Sequence, residues 1–237
     1  LLAVMVASLS GGFLIWSLSK HRLMKWMPYL ISLSAGLFVY VCYKLGSETF
    51  HFLSLRDAFI SIGSGFIAVA ILTLLVPDGH HHIDDDEQHD HKGMARRILF
   101  GDAIHNVADG ILLVPAFLID VRLGIITAAG IFLHEFIQEV SEFIILKDAG
   151  YSTKKALIWN FIVSSTVIVG AVIGLGAAGS EGFVGPILGI STGAFAFLVV
   201  YDLFPRMFHA GKTAKKPLVI GSFVAGIVIL ALFNIMA

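Results

Sequence analysis

Apolar residues are grouped along the chain into eight long stretches, which short polar segments separate. A helix needs about 20 predominantly apolar residues to cross the hydrocarbon core of a bilayer. The stretches that meet this length lie near residues 1–19, 27–45, 58–77, 96–119, 122–147, 153–178, 182–204 and 217–237. The pattern therefore predicts an all-α integral membrane protein with eight transmembrane helices in a single domain over residues 1–237.

The composition agrees with this pattern and limits the kinds of binding partner to be expected. Of the 237 residues, 57% are hydrophobic and 14% are charged, and the mean hydropathy is +0.88. Soluble domains carry about a quarter charged residues. The formal net charge of −1 leaves no basic surface for nucleic acid, so the lipid bilayer is the expected partner. The single cysteine, Cys42, excludes an intrachain disulfide.

Basic residues are concentrated in alternate connections between the apolar stretches. The first, third, fifth and seventh connections hold 13 of the 16 lysines and arginines. Because such an excess marks the cytoplasmic side, both termini are expected outside and these four connections inside. With no long extensions in the sequence, we expect a prokaryotic inner (plasma) membrane. The first stretch begins at Leu1 without a methionine, so we expect the natural chain to start earlier.

The fourth apolar stretch carries a polar face. At about 100° per residue, the side chains of Asp102, His105, Asn106 and Asp109 fall on one side of a helix. His105 and Asp109 are four residues apart, so an imidazole nitrogen and a carboxylate can bind the same ion. An interhelical hydrogen-bond network is the alternative interpretation of this face.

The fifth stretch carries a second polar face, with two pairs of neighbouring polar residues and a further glutamate. These residues are His134, Glu135, Gln138, Glu139 and Glu142. Lysine and arginine lie only at the ends of the fourth and fifth stretches, so a bound or mobile cation is the natural counter-charge for the carboxylates. Mixed nitrogen and oxygen ligands without thiolates suit zinc, iron, manganese or cadmium. We therefore favour a metal site over a purely structural network.

One motif in the fifth stretch leaves an enzymatic alternative open. The string His134-Glu135-x-x-Gln138 is close to the H-E-x-x-H signature of zinc proteases, in which two histidines bind zinc and the glutamate activates water. Here glutamine replaces the second histidine. An intramembrane metallohydrolase therefore stays as the alternative from the enzyme class.

Together the two polar strings resemble the ZIP (Zrt-, Irt-like) family of divalent metal transporters. The resemblance rests on two strings, Gly101-Asp102-x-x-His105-Asn106-x-x-Asp109-Gly110 and His134-Glu135-x-x-Gln138-Glu139-x-x-Glu142-Phe143. It implies a bundle in which helices one to three and six to eight are inverted repeats around helices four and five. It also implies a transporter without enzymatic activity or organic cofactor. Such a protein moves zinc or another divalent cation into the cytoplasm by alternating access, and an exporter is the competing hypothesis.

The resemblance also implies which residues hold the metal. His105, Asp109, His134 and Gln138 match the ligands of a first metal, whereas Asn106 and Glu135 match a neighbouring second position that Asp109 can bridge. Glu139 follows the longer H-E-x-x-H-E form of the motif, in which Gln138 is the departure. Asp102 and Glu142 are expected as secondary or pathway residues. The resemblance leaves the oligomeric state open, and a homodimer is one alternative.

A weak similarity between two short segments of the chain fits the implied inverted repeats. The segment 34–38, Ser-Ala-Gly-Leu-Phe, is similar to the segment 191–195, Ser-Thr-Gly-Ala-Phe. The two segments lie five crossings apart and are therefore inverted relative to each other, as transporter repeats often are.

The third connection is a second candidate metal site. Five histidines and six carboxylates lie between residues 78 and 91. The histidines are His80, His81, His82, His89 and His91. This composition predicts a disordered cytoplasmic loop over residues 78–95 that binds divalent ions as an acceptor or sensor, with a solvated acidic linker as the alternative.

Overall fold

The computed structural model describes residues 20–75, 91–177 and 182–236, and every regular element in these ranges is a helix. The helices are α1 (Lys20–Phe52), α2 (Leu55–Leu75), α3 (His91–Ile119), α4 (Val121–Asp148), α5 (Thr153–Ser164), α6 (Val167–Ala177), α7 (Val184–Leu198), a π-helical turn (Val199–Leu203), α8 (Phe204–Thr213) and α9 (Lys216–Met236). The helix expected at residues 1–19 and the loop histidines His80, His81, His82 and His89 lie outside the described residues.

Within the described ranges, seven helical segments are long and apolar enough to cross a membrane. The pair α5–α6 forms one of them, and α7 with the π-helical turn and most of α8 forms another. The prediction of an all-helical membrane bundle is confirmed.

Several helices extend beyond their predicted bounds. The second apolar stretch was expected at 27–45, but α1 runs from Lys20 to Phe52. The loop predicted over 78–95 is too long at its C-terminal end, because α3 begins at His91. Hydropathy marks where a helix enters the hydrocarbon core, whereas backbone hydrogen bonding continues into the polar headgroup layer. Lysine and arginine are also good helix formers, so Arg96 and Arg97 continue the helix.

The sixth apolar stretch is broken, although hydropathy predicted one helix over 153–178. Helix α5 ends at Ser164 and α6 begins at Val167. At the break, Ser165 Oγ donates to the carbonyl oxygen of Phe161 (2.6 Å), and Thr166 Oγ1 donates to that of Val163 (2.7 Å). Hydroxyl groups that bond to the preceding turn bend or interrupt helices.

The seventh stretch contains a π-helical turn, in which the backbone N–H of Phe204 donates to the carbonyl oxygen of Val199. Pro205 follows directly and has no N–H to donate to the preceding turn. The wider turn lies where α7 passes the cavity described below, and such turns often occur at functional sites.

The two similar segments, 34–38 and 191–195, pack against other helices in corresponding ways. A Cβ atom at Gly36 of α1 would lie 2.0 Å from the carbonyl oxygen of Phe223 in α9. A Cβ atom at Gly193 of α7 would lie 1.9 Å from the carbonyl oxygen of Ile62 in α2. Only glycine permits such a close approach between helix backbones. This is the pairing that two inverted repeats would produce.

The largest apolar cluster joins buried residues of α1, α3, α4, α6, α7, α9 and the π-helical turn. Phe38 and Val41 of α1, Leu188 of α7 and Ile131 of α4 are buried in it. The rings of Phe38 and Phe195 lie 5.2 Å apart between centroids. The helix ends that carry Arg97, Lys147 and Arg206 are called the basic end of the bundle below.

Candidate metal site

A tight connection brings the two polar faces together. Helices α3 and α4 are separated only by Asp120, whose Oδ1 accepts hydrogen bonds from the backbone N–H groups of Arg122 (2.6 Å) and Leu123 (3.1 Å). A capping carboxylate of this kind satisfies N–H groups that have no partner within the helix. The two helices therefore run antiparallel and side by side, with their polar faces in contact.

Where these faces meet, four side chains form the central cluster of His105, Asp109, His134 and Glu135. Ligand atoms of His105, His134 and Glu135 all lie within 4.8 Å of one another. His105 Nε2 is 3.6 Å from Glu135 Oε1 and 4.0 Å from Asp109 Oδ2. Tetrahedral zinc with bonds of about 2.0–2.1 Å holds its ligand atoms roughly 3.3–3.5 Å apart. Small side-chain movements would therefore bring these atoms to a single ion.

Three of the four residues of the central cluster are buried, and the cluster lacks hydrogen-bond partners. His134 and Glu135 are 3% and 1% exposed. Both ring nitrogens of His134, both carboxylate oxygens of Glu135, Asp109 Oδ2 and His105 Nε2 have no hydrogen-bond partner among the described residues. Burying such groups unpaired costs several kcal/mol in total, at about 1–3 kcal/mol each. A divalent cation that is bound by all of these nitrogen and oxygen atoms compensates for their missing hydrogen bonds. Two imidazoles with two carboxylates suit zinc and related transition-metal ions.

Two predicted ligands, Gln138 and Asn106, are engaged by Asp102. Gln138 Nε2 donates to Asp102 Oδ1 and, at 3.4 Å, to Glu142 Oε1. Asn106 Nδ2 donates to Asp102 Oδ1 at 3.1 Å, and its own Oδ1 has no partner among the described residues. The amide oxygen of Asn106 therefore remains available to an ion beside the central cluster.

Glu139 faces a different neighbour. Ser164 Oγ of α5 donates to Glu139 Oε1, and Asn160 Nδ2 donates to the backbone oxygen of Glu139 at 3.2 Å. Glu139 is fully buried, and its Oε2 has no hydrogen-bond partner among the described residues. Neither Glu139 nor Glu135 lines the cavity that His105, Asp109 and His134 face. Sequence reasoning missed Ser164, although the hydroxyl run from Ser164 to Thr166 was a signal for it.

A cavity of about 230 Å³ connects the central cluster with the basic end of the bundle. Its lining includes His105, Asp109 and His134, together with Arg97 and Arg206 at the other extreme. Arg206 Nε is 2.7 Å from Asp202 Oδ1, an ion pair that sequence reasoning also missed. On the opposite side the apolar cluster closes over His134. The site is therefore accessible from the basic end.

The loop histidines were predicted as a second metal site. His91 begins α3 instead of ending a loop. The other four lie outside the described residues, so metal binding by the loop stays a prediction.

Comparisons with known proteins agree with the geometry of the site. Zinc transporter ZIP10 of Danio rerio is 30% identical over 132 residues, which are 55% of this chain and 16% of the relative. Human zinc transporter ZIP4 is 34% identical over 110 residues, 46% of this chain and 17% of the relative. The metal cation symporter ZIP14 of Mus musculus is 32% identical over 123 residues, 52% of this chain and 25% of the relative.

The chain thus spans a quarter or less of the length of these relatives. The family model described as ZIP Zinc transporter matches residues 77–234, well over half of the chain. Because this is a family of transporters, the metallohydrolase interpretation of the H-E-x-x-Q string loses its support. The chain belongs to the ZIP zinc transporter family.

Proposed function

We propose that the protein carries divalent metal ions, with zinc as the main substrate, across the membrane into the cytoplasm. One observation carries this proposal: buried imidazole and carboxylate atoms without partners converge at the inner end of a cavity between membrane-spanning helices. A stable structural metal would need a closed site, whereas an ion that moves needs a path to water. The relatives named zinc transporter and metal cation symporter support the same substrate class.

The path supports alternating access. Because the basic connections favour the cytoplasmic side, the cavity leads from the central cluster to the cytoplasm in this conformation. Beside the central cluster, the buried ring of Phe38 packs against the rings of His134 and Phe195. For an ion to arrive from outside, this apolar side must open while the basic end closes. The π-helical turn Val199–Leu203 lies beside the cavity and offers one point of bending.

The candidate ligand atoms of the central cluster support a preference among metals. Two histidines favour borderline ions such as zinc, cadmium and iron over magnesium and calcium, which prefer oxygen ligands. Gln138 is the position most able to change this preference, because its amide already binds two carboxylates beside the cluster. We therefore expect zinc and cadmium to compete for the same path.

Flux measured in liposomes tests the proposal. Purified protein is reconstituted with a zinc-sensitive dye inside, and zinc is added outside or preloaded within. We expect zinc movement that cadmium slows and magnesium does not. Zinc that binds the protein but never crosses would contradict transport. Movement only out of the compartment into which the basic end faces would favour the exporter over the importer.

A further inference from the structure

A second group of carboxylates lies one helical turn from the central cluster, toward the basic end. It consists of Asp102 of α3 and Glu142 of α4, with Gln138 between them. The single amide nitrogen of Gln138 donates to both carboxylates. The two carboxyl groups therefore lie on either side of one amide nitrogen. We call these three residues the oxygen cluster.

The oxygen cluster is buried and incompletely satisfied. Asp102 and Glu142 are 3% and 5% exposed. Asp102 Oδ2 and Glu142 Oε2 have no hydrogen-bond partner among the described residues, and both side chains line the cavity. Two carboxylates in contact repel each other unless a positive charge lies between them. A neutral amide cannot supply that charge.

Two arginines line the same cavity. Arg206 Nε forms an ion pair with Asp202 Oδ1 (2.7 Å), and Arg97 is exposed. A cation that leaves the central cluster toward the basic end reaches the oxygen cluster before it reaches these arginines.

We propose that Asp102, Gln138 and Glu142 form a second divalent-cation site, made of oxygen ligands only, between the central cluster and the basic end of the cavity. The two free carboxylate oxygens supply the charge. Rotation of the Gln138 amide by about 180° exchanges its nitrogen and oxygen and adds a third oxygen ligand. Oxygen ligands suit manganese, magnesium and calcium, and they hold zinc more weakly than imidazole does.

The site as a binding site stands on its own geometry; its role in transport rests on the proposed function. A weaker site next to a stronger one gives the departing ion an intermediate position. It therefore lowers the barrier to release toward the basic end. In this arrangement Gln138 belongs to the second site rather than to the first, and a histidine there would draw the ion back.

Manganese binding to the full chain in detergent tests the site, with electron paramagnetic resonance to count bound Mn²⁺. The variant with Asp102→Asn and Glu142→Gln keeps the shape of both side chains and removes both charges. We expect it to bind Mn²⁺ at least about tenfold more weakly, since even substitutions outside the ligand set cost 10–100-fold in metal affinity. The variant with His105→Ala and His134→Ala should keep Mn²⁺ binding and lose tight zinc binding.

A control is Asp57→Asn, which removes a carboxylate at the exposed start of α2, where Asp57 Oδ2 accepts a hydrogen bond from Ser54 Oγ (2.7 Å). It should bind Mn²⁺ as the unmodified protein does. If the double variant does not fold, as judged by its thermal unfolding, Glu142→Gln alone replaces it. Unchanged Mn²⁺ affinity in the carboxylate variant, or no Mn²⁺ binding in the folded histidine variant, would overturn the proposal.

Zinc flux measured on the same samples separates the two proposals. Mn²⁺ binding that depends on Asp102 and Glu142 in a protein without flux would support the site and contradict transport. Zinc flux in a protein whose Mn²⁺ affinity does not change when Asp102 and Glu142 are substituted would support transport and contradict the second site.

Discussion

The ring of Phe38 meets the ring of His134 edge-on, with 5.6 Å between their centroids and 82° between their planes. Phe38 is fully buried and also contacts Phe195. An aromatic side chain of the apolar cluster thus contacts a histidine of the central cluster directly. The closed side of the path and the metal site are therefore mechanically connected.

Replacement of Phe38 should weaken this closed side. Phe38→Ala leaves a cavity against His134, and Phe→Ala substitutions in packed cores cost about 3–5 kcal/mol. We expect a lower midpoint of thermal unfolding in detergent. Phe38→Leu, which keeps most of the volume, should lose less. Equal midpoints for the two variants would contradict the packing described.

The close contact between α7 and α2 predicts a sharp difference between two glycines. At Gly193 an added Cβ would lie 1.9 Å from the carbonyl oxygen of Ile62, whereas at Gly63 nothing lies within 4 Å. Gly193→Ala should destabilise the protein by at least about 1–3 kcal/mol, because packed helices must separate. Gly63→Ala, the matched control, should be neutral or slightly stabilising. Chemical unfolding in mild detergent measures both, and similar losses in the two variants would contradict the close approach.

The bond between Ser164 and Glu139 predicts a structural role for Glu139. Ser164→Ala leaves the Glu139 carboxylate buried without its donor, which costs about 1–3 kcal/mol. Zinc binding should keep its stoichiometry and affinity, because Glu139 faces α5 and lies apart from the cavity. Ser64→Ala is the control, since Ser64 is exposed and its Oγ donates to the carbonyl oxygen of Ser61 within α2. A loss of bound zinc in Ser164→Ala would return Glu139 to the ligand set.

Zinc binding should weaken as the pH falls. Imidazole and carboxylate bind metal in their deprotonated forms, so protons compete for the same lone pairs and metal binding releases protons. The apparent affinity should therefore rise with pH between about pH 5 and pH 7.5. Calorimetry in buffers of different ionisation enthalpy measures the released protons. An affinity that does not change over this range would exclude ligation by His105 and His134.

Helical spacing alone was enough to predict the centre of the site. His105 and Asp109 are four residues apart, and His134 and Glu135 lie on the facing side of the next helix. A connection of one residue forces these faces together. The same spacing could not show that Ser164, on a third helix, donates to Glu139 Oε1.

Other features depended on contacts or chemistry that hydropathy does not measure. The break after Ser164 comes from hydroxyl groups that compete for backbone carbonyls within an otherwise apolar stretch. The position of Phe38 over His134 depends on how α1 packs against α4, and no local pattern in either helix specifies it. His91 begins a helix because helix formation continues beyond the hydrocarbon core, where the apolar pattern has ended.

The rate of zinc uptake into proteoliposomes by His134→Ala, compared with His51→Ala, tests the central claim most directly. His134 is buried in the central cluster, whereas His51 is exposed near the C-terminal end of α1. If metal crosses through the cluster, His134→Ala should lose uptake by at least about tenfold, as loss of metal-site contacts does, while His51→Ala keeps the unmodified rate. Equal uptake by both variants would contradict passage through this site.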